Sequence, residues 1–419
     1  MSFPNQRLLS LPIQKWMKKT STGKVIEALT QKGGTVRFVG GCVRDTLAGK
    51  TEPDNIDIAT PLKPEEVLRL LQEQGLTAIP TGLEHGTITA VVDHEVFEIT
   101  TLRADLQTDG RHAVVEYTDR WEVDARRRDF TMNSIYCDLE GNLYDPVGGI
   151  EDLYNNKIRF IGAPERRIQE DILRILRYFR FQATFNSSDV DRTALAACTK
   201  LAPKLQHLSG ERICSELFKW LAADNPVPSL AVSRGCGVLE NILTFTPSHT
   251  ALESLQTLIR YEQECEDTDP ARRLYVLASG KGTIQKIADR LKLPKATTTR
   301  LKKMNSLTHL IAVGLNTHDA RKIIYLNGKQ TFIDGLLATS AGFPEKKPPD
   351  WVKLHQLANA WTPPKCPITG EDVLALGVPQ GPLVGKLASE VEEWWMEGNF
   401  EASRDKTLNR LTTLVDKER

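Results

Sequence analysis

Between residues 35 and 160, apolar and polar positions alternate in short runs, a period of two that predicts half-buried β-strands. The runs are TVRFVGG, NIDIAT, GTITAVV, EVFEITTLR, AVVEYT, NSIYCDLEGNLYDP and KIRFIG, with Gly, Asp or Asn in the gaps. A helix is expected before the first strand, around residues 12–31. Another is expected after NIDIAT, where Pro61 and Pro64 open the acidic start PEEVLRLLQEQG and a glycine closes it. From about residue 164 the spacing of apolar positions changes to three and four. RRIQEDILRILRYFRFQATF and ERICSELFKWLAA read as amphipathic helices. Helical patterning continues to the C-terminus, with breaks at Pro226–Pro228, Thr246–Ser248, Asp267–Pro270 and the Pro-rich stretch Phe343–Asp350. The pattern predicts an α+β head followed by helical domains, without repeats or low-complexity tracts.

Length and composition narrow this picture. At 419 residues the chain is long enough for two or three packed units, and 40% hydrophobic with 26% charged residues is the balance of a folded soluble protein. Lys plus Arg and Asp plus Glu each number 54, so no net field draws in a polyanion. A nucleic-acid partner therefore requires the basic residues to gather on one face. The seven cysteines show no C-x-x-C pair or nearby His at ligand spacing, which argues against a zinc site or disulfide framework and favours a reducing compartment. No signal pattern or run of 18 apolar residues is found, so the cytoplasm is expected.

Three constellations carry chemistry. Gly40-Gly41 follows an apolar strand and precedes Arg44, so backbone amides and a guanidinium can both approach a phosphate; a plain strand-to-helix turn has the same sequence. In Asp54-Asn55-Ile56-Asp57, strand alternation puts Asn55 and Asp57 on one face and Asp54 on the other. Two oxygen-bearing side chains so placed can hold Mg²⁺, with triphosphate oxygens completing the octahedron. Glu98 is the best third carboxylate, although alternation alone also makes it a solvent-facing strand residue. In the third, Asp171, Arg174, Arg177 and Arg180 recur every three residues, a row that winds back by only ~60° per step on a helix. Three guanidiniums in a row repel one another unless an anion or carboxylates sit against them. A salt-bridged surface is one reading. In the other, Asp171 accepts from the exocyclic amine that C and A carry and Arg174 donates to a ring nitrogen or carbonyl, so that protein selects the base.

The first two constellations resemble the polymerase β-like head of the tRNA nucleotidyltransferase and poly(A) polymerase family, class II. Further matches follow in the family's order: Arg127-Arg128-Asp129-Phe130-Thr131-Met132-Asn133, Asp145-Pro146-Val147-Gly148-Gly149, Glu170-Asp171 through Arg177, and Ser209-Gly210-Glu211-Arg212 with Glu216-Leu217. The resemblance implies a mixed-sheet head with flanking helices over residues 1–160, a nucleotide-selecting helical neck over 161–245, and an all-α, tRNA-binding body and tail over 246–419. It implies Asp57, Asn55 and Glu98 as catalytic metal ligands for Mg²⁺. It also implies Gly40, Gly41, Arg44, Arg128, Asp129, Asp171, Arg174, Arg177 and Arg180 as nucleotide-binding residues. The partners implied are CTP, ATP and the 3′ end and acceptor stem of tRNA, with no membrane and no obligate protein partner.

The family places Asp at both ligand positions of the strand, whereas the first is Asn55 here. An amide carbonyl coordinates Mg²⁺ without adding negative charge. An inactivated variant, a natural enzyme that tolerates Asn, and a bulge that turns Asp54 inward are equally compatible with this. Pro80 to Thr87 resembles the tRNA-enzyme version, with His85 read as a turn residue, and the Gly-basic-basic-Phe signature of bacterial poly(A) polymerases is not found. The polar segment from Thr101 to Ala113 resembles the flexible loop of enzymes that add all of CCA. Arg290, Lys292, Lys295, Arg300, Lys302 and Lys303 form a basic cluster read as phosphate contacts, and Gly381-Pro382 a helix-opening turn suited to an acceptor-stem phosphate. CCA addition to tRNA is the expected function. The alternatives are a poly(A) polymerase and, because of Asn55, a catalytically silent RNA-binding relative.

Overall fold

The computed structural model describes residues 10–418 except 84–85, 109–112, 188, 279–283, 312–314 and 343–349, so His85 lies outside the described residues. Contacts divide the chain into two compact units. One comprises Met1–Leu252 with Gly280–Leu293, the other Glu253–Ser279 with Pro294–Arg419.

In the first unit the strands are β1 (Arg37–Val39), β2 (Ile56–Thr60), β3 (Thr77–Gly82), β4 (Thr87–Val92), β5 (Glu95–Thr101), β6 (Arg103–Thr108), β7 (Ala113–Tyr117), β8 (Tyr136–Cys137) and β9 (Leu143–Tyr144). Seven of them form a mixed sheet in the order β3-β4-β5-β2-β1-β8-β9. β2 and β5 run parallel, which requires a long crossover; a helix over Pro64–Glu73, β3 and β4 supply it. Alternation along these strands buries Phe38, Ile58, Ile88, Phe97 and Ile99 against the helices, each contributing roughly 1.5–3 kcal/mol.

The helices that frame this sheet are α1 (Thr20–Thr30), α2 (Gly41–Leu47), α3 (Pro64–Glu73), α4 (Trp121–Arg127) and α5 (Gly149–Tyr154). They are followed by α6 (Pro164–Glu170), α7 (Arg174–Thr184), α8 (Arg192–Leu201) and α9 (Gly210–Leu221). The expected helix over 12–31 is a short 3-10 turn at Trp16–Lys18 followed by α1. β3 was not legible because its residues are mostly exposed on both faces, which erases the alternation. KIRFIG forms only an isolated bridge, Phe130 to Phe160, and the segment expected as a polar loop after Thr101 contributes β6 of a two-stranded ribbon with β7.

The helix expected over 166–185 is broken. Asp171 has an extended backbone (φ −152°) and ends α6, and α7 starts at Arg174. The Asp171 carboxylate accepts from the Leu173 amide at 3.1 Å, the local side-chain bond that competes with a continuous helix. Asp171 therefore does not belong to the helical row of arginines.

The second unit is helical among its described residues. Its tail core gathers Ile368, Val373, Leu387, Val391 and Leu411, while Trp395 is buried and Trp394 half-buried. Elsewhere it encloses a charged network. Arg272 and Arg273 both pair with buried Glu262, and Arg300 reaches Asp334 at 2.7 Å and Asp269 at 2.8 Å. The basic cluster is accordingly corrected: Arg300 is spent on internal carboxylates, and Arg290 belongs to the other unit, donating to the Leu205 and Leu208 carbonyls.

Candidate functional site

β1 ends at Gly40, whose φ of +72° suits glycine and turns the chain sharply into α2. A Cβ at Gly40 would stand 3.1 Å from Asp57 Oδ2, so this turn lies against the Asp57 carboxylate and a side chain would crowd it. The Gly41 amide, at the start of α2, hydrogen-bonds to the Asp57 carboxylate. Arg44, one turn on, donates to Asn133 Oδ1 and lies over the rings of Phe181 and Phe185, 4.8 and 5.6 Å away.

The parallel register makes Asp57 and Glu98 direct partners, so the two carboxylates share one face of the sheet on adjacent strands. Asp57 is half-buried and Glu98 exposed. Burial, and then the charge of Glu98, push the Asp57 carboxyl up to about 6, against the opposing pull of Arg128 and Arg44. Asp54 and Asn55 precede β2, and both are exposed and line the same cleft. The strict alternation expected for them fails because β2 begins only at Ile56. Asp54 pairs with Lys50 at 2.8 Å.

Arg128 packs beneath this turn. Its guanidinium takes Asp124 through Nε and Nη2, at 3.1 and 3.0 Å, and Nη1 lies 3.9 Å from where a Gly40 Cβ would stand. Asp124 also receives Arg127 and the Tyr136 hydroxyl. Burial alone would raise its pKa, but the two guanidiniums and the phenol outweigh that and hold it well below the usual carboxylate range. The spacing of Asp124 from Arg127 and Arg128, three and four residues along α4, was the signal that could have found it.

The other wall comes from the helices. Asp129 is buried, accepting from the Phe130 amide, from Asn133 Nδ2 at 2.9 Å and from Arg177 Nε at 2.7 Å. Arg177 and Arg180 both face Glu216 of α9, at 3.6 and 2.7 Å. Arg174 is held by Glu170 at 2.8 Å and by the Arg167 carbonyl. Arg212, also on α9, grips both oxygens of Asp171 at 3.0 and 2.9 Å. The carboxylates that a row of guanidiniums demands are thus Glu170, Asp129 and Glu216, from three different segments.

These groups line one cleft of about 1600 Å³. Gly40, Gly41, Arg44, Asp57, Glu98 and Arg128 lie toward the sheet, and Asp171, Arg174, Arg177, Arg180 and Arg212 toward the helices. Every residue expected at the site borders it, including Asn55 and Asp129.

The profile described as "Poly A polymerase head domain" matches residues 36–159, and "Probable RNA and SrmB- binding site of polymerase A" matches 189–252. The zebrafish (Danio rerio) CCA tRNA nucleotidyltransferase 1, mitochondrial, is 33% identical over 386 residues, covering 90% of this chain and 87% of its own. The chain belongs to the CCA tRNA nucleotidyltransferase family. The Homo sapiens member of that name is 31% identical over 440 residues, 98% of this chain and 95% of its own. Among solved structures, the family's CCA-adding enzyme from Bacillus stearothermophilus in complex with CTP superposes with a TM-score of 0.74 at 25% identity, covering 96% of this chain and 99% of that one. No helix among the described residues is long and apolar enough to cross a membrane.

Proposed function

We propose that this protein adds CMP, CMP and AMP, from CTP and ATP, to the 3′ end of tRNA without a nucleic-acid template and with release of pyrophosphate. The observation that carries the reading is the single cleft in which the Asp57–Glu98 pair stands opposite Asp171 and Arg174. Relatives that match nearly the whole chain carry the CCA name, which favours this activity over poly(A) addition.

The donor chemistry fits Mg²⁺. Two carboxylates stand side by side, and Asp57 is raised first by burial and then by the charge of Glu98; a bound cation offsets both. Among the described residues, no three His, Cys, Asp or Glu side chains gather closely enough to hold a cation alone. Asp57 and Glu98 would thus hold it together with Asn55 and oxygens of the substrate triphosphate. Mg²⁺ bound there supplies the positive charge that acidifies the primer 3′-hydroxyl and neutralises the departing pyrophosphate.

The protein's own groups do the rest. The Gly40–Gly41 amides, Arg44 and Arg128 hold the triphosphate in line with the primer hydroxyl. Asp171 accepts from the exocyclic amine of cytosine or adenine and Arg174 donates to the ring, while G and U offer the wrong pattern. Arg212 and Glu170 hold these readers directly, while Arg177 and Arg180, paired with Asp129 and Glu216, fix the helix that begins at Arg174. We assign residues 1–160 to the catalytic head, 161–245 to the selecting neck and 246–419 to a tRNA-binding body and tail. The compartment we infer is the cytoplasm, supported by seven cysteines that are all free thiols.

The test is to incubate the protein with tRNA ending at the discriminator base, labelled CTP and ATP, and Mg²⁺, and to resolve the products to single nucleotides. Three residues added in the order C, C, A are expected. No incorporation, or a ladder of A, overturns the reading.

A further inference from the structure

Asp171 is only as well placed as the helix that holds it. α9 supplies both clamps of the helical wall, Arg212 on Asp171 and Glu216 on Arg177 and Arg180. A shift of α9 by a few tenths of an ångström would move all of them together, so whatever fixes the start of α9 also sets the geometry of base reading.

That start is fixed by a segment far along the chain. The helix Ile284–Leu291 leaves its sequence neighbours on both sides, which belong to the other unit, and packs into this one. Its last turn abuts the first residue of α9: a Cβ on Gly210 would run into the Arg290 carbonyl oxygen and stand 3.0 Å from the Leu291 carbonyl carbon. Both are backbone atoms, which cannot swing aside. Arg290 then reaches across to the segment just before α9, donating from Nη2 to the Leu205 carbonyl at 2.9 Å and from Nη1 to the Leu208 carbonyl at 3.2 Å. These carbonyls lie in and just after a 3-10 turn, Ala202–His207, and the Leu205 carbonyl, which already accepts the Leu208 amide, takes the guanidinium as a second donor. Leu291 is fully buried, which anchors the helix that presents Arg290.

We propose that Arg290 is a positioning residue for nucleotide selection: by tying the Leu205–Leu208 segment to the Ile284–Leu291 helix it holds α9, and through Arg212 and Glu216 it holds the Asp171–Arg174 edge in register with the base. Arg290 touches no substrate; it acts through the main chain. The inference rests on the base-reading role proposed for Asp171 and Arg174. Loss of the clamp loosens recognition of the base without disturbing the Asp57–Glu98 centre, so KM and discrimination change while kcat is largely kept.

The experiment compares Arg290→Gln, Arg290→Lys and Asp171→Asn in the full-length protein, on tRNA ending in CC, with ATP or GTP as the incoming nucleotide. Thermal unfolding is measured alongside. For Arg290→Gln the expected result is a rise of about tenfold in KM for ATP, a fall of about tenfold in the preference for ATP over GTP, and kcat within about twofold. Arg290→Lys, which keeps the charge but spans only one carbonyl well, is expected to recover part of both losses. It also serves as the test if the Gln variant does not fold. Folded Arg290 variants with unchanged KM and preference, while Asp171→Asn loses preference, overturn the inference and leave base reading standing. Unchanged preference in Asp171→Asn overturns both. A fall in kcat equal to the fall in kcat/KM in Arg290→Gln also overturns the inference, because it places the effect on the chemical step.

Discussion

The two walls of the cleft treat charge in opposite ways. On the helical wall Arg174, Arg177, Arg180 and Asp171 each face an opposite charge within 3 Å, drawn from Glu170, Asp129, Glu216 and Arg212. On the sheet wall two carboxylates, Asp57 and Glu98, stand side by side, and Glu98 has no ion pair among the described residues. The contrast separates two tasks. A wall whose charges are already neutralised is rigid and can present a fixed pattern of donors and acceptors. A wall left with surplus negative charge is raised in energy until a cation arrives, and it holds that cation the more tightly.

Removing the surplus is expected to have the largest effect. Asp57→Asn should lower nucleotide incorporation by about 10³-fold or more, measured as single-turnover extension of tRNA, while nucleotide selection among residual products is retained. A loss below tenfold would remove Asp57 from the centre of the chemistry. Breaking the neutralised wall should do the reverse: Arg174→Ala is expected to cut the preference for CTP over UTP by about 10²-fold, with a smaller change in the maximal rate, in competition assays.

Beneath the sheet wall, Asp124→Asn tests how far the buried pairing with Arg127 and Arg128 supports the fold. Removing one partner of such a cluster should cost about 3 kcal/mol in denaturant unfolding at neutral pH. Because the folded pKa of Asp124 is depressed, its stabilisation is fully present above the ordinary carboxylate pKa and is lost as the pH falls below it. The variant should therefore lose less stability than the parent between about pH 4 and 2. The smallest effect expected is a gain: Asn55→Asp adds a third negative charge to the sheet wall and should raise the rate about tenfold if the amide is a ligand. An unchanged rate, together with a loss in Asp54→Ala, would instead point to Asp54.

Much of the site was legible in local sequence, because a Gly-Gly turn and a short strand are local structures. Gly40, Gly41, Arg44 and Asp57, singled out by spacing together with the family resemblance, all line the cleft. Glu98 was ambiguous, since alternation does not say which strand lies alongside, and its pairing with Asp57 spans 41 residues. The break at Asp171 hid inside a convincing helical period, for a side chain that accepts its neighbour's amide leaves no trace in hydrophobicity. Arg290 was read as one of a basic cluster because composition cannot separate a lysine in solvent from an arginine bound to carbonyl oxygens. Periodicity reports which face is buried; it does not report the partner.

The parallel ladder between β2 and β5 has a consequence for how the molecule gains and loses competence. Neither strand alone carries the acidic pair, so zippering this one ladder and creating the centre are a single event. During denaturation, incorporation should vanish in step with the sheet even where the helices persist, which makes turnover itself a gauge of whether the head has closed.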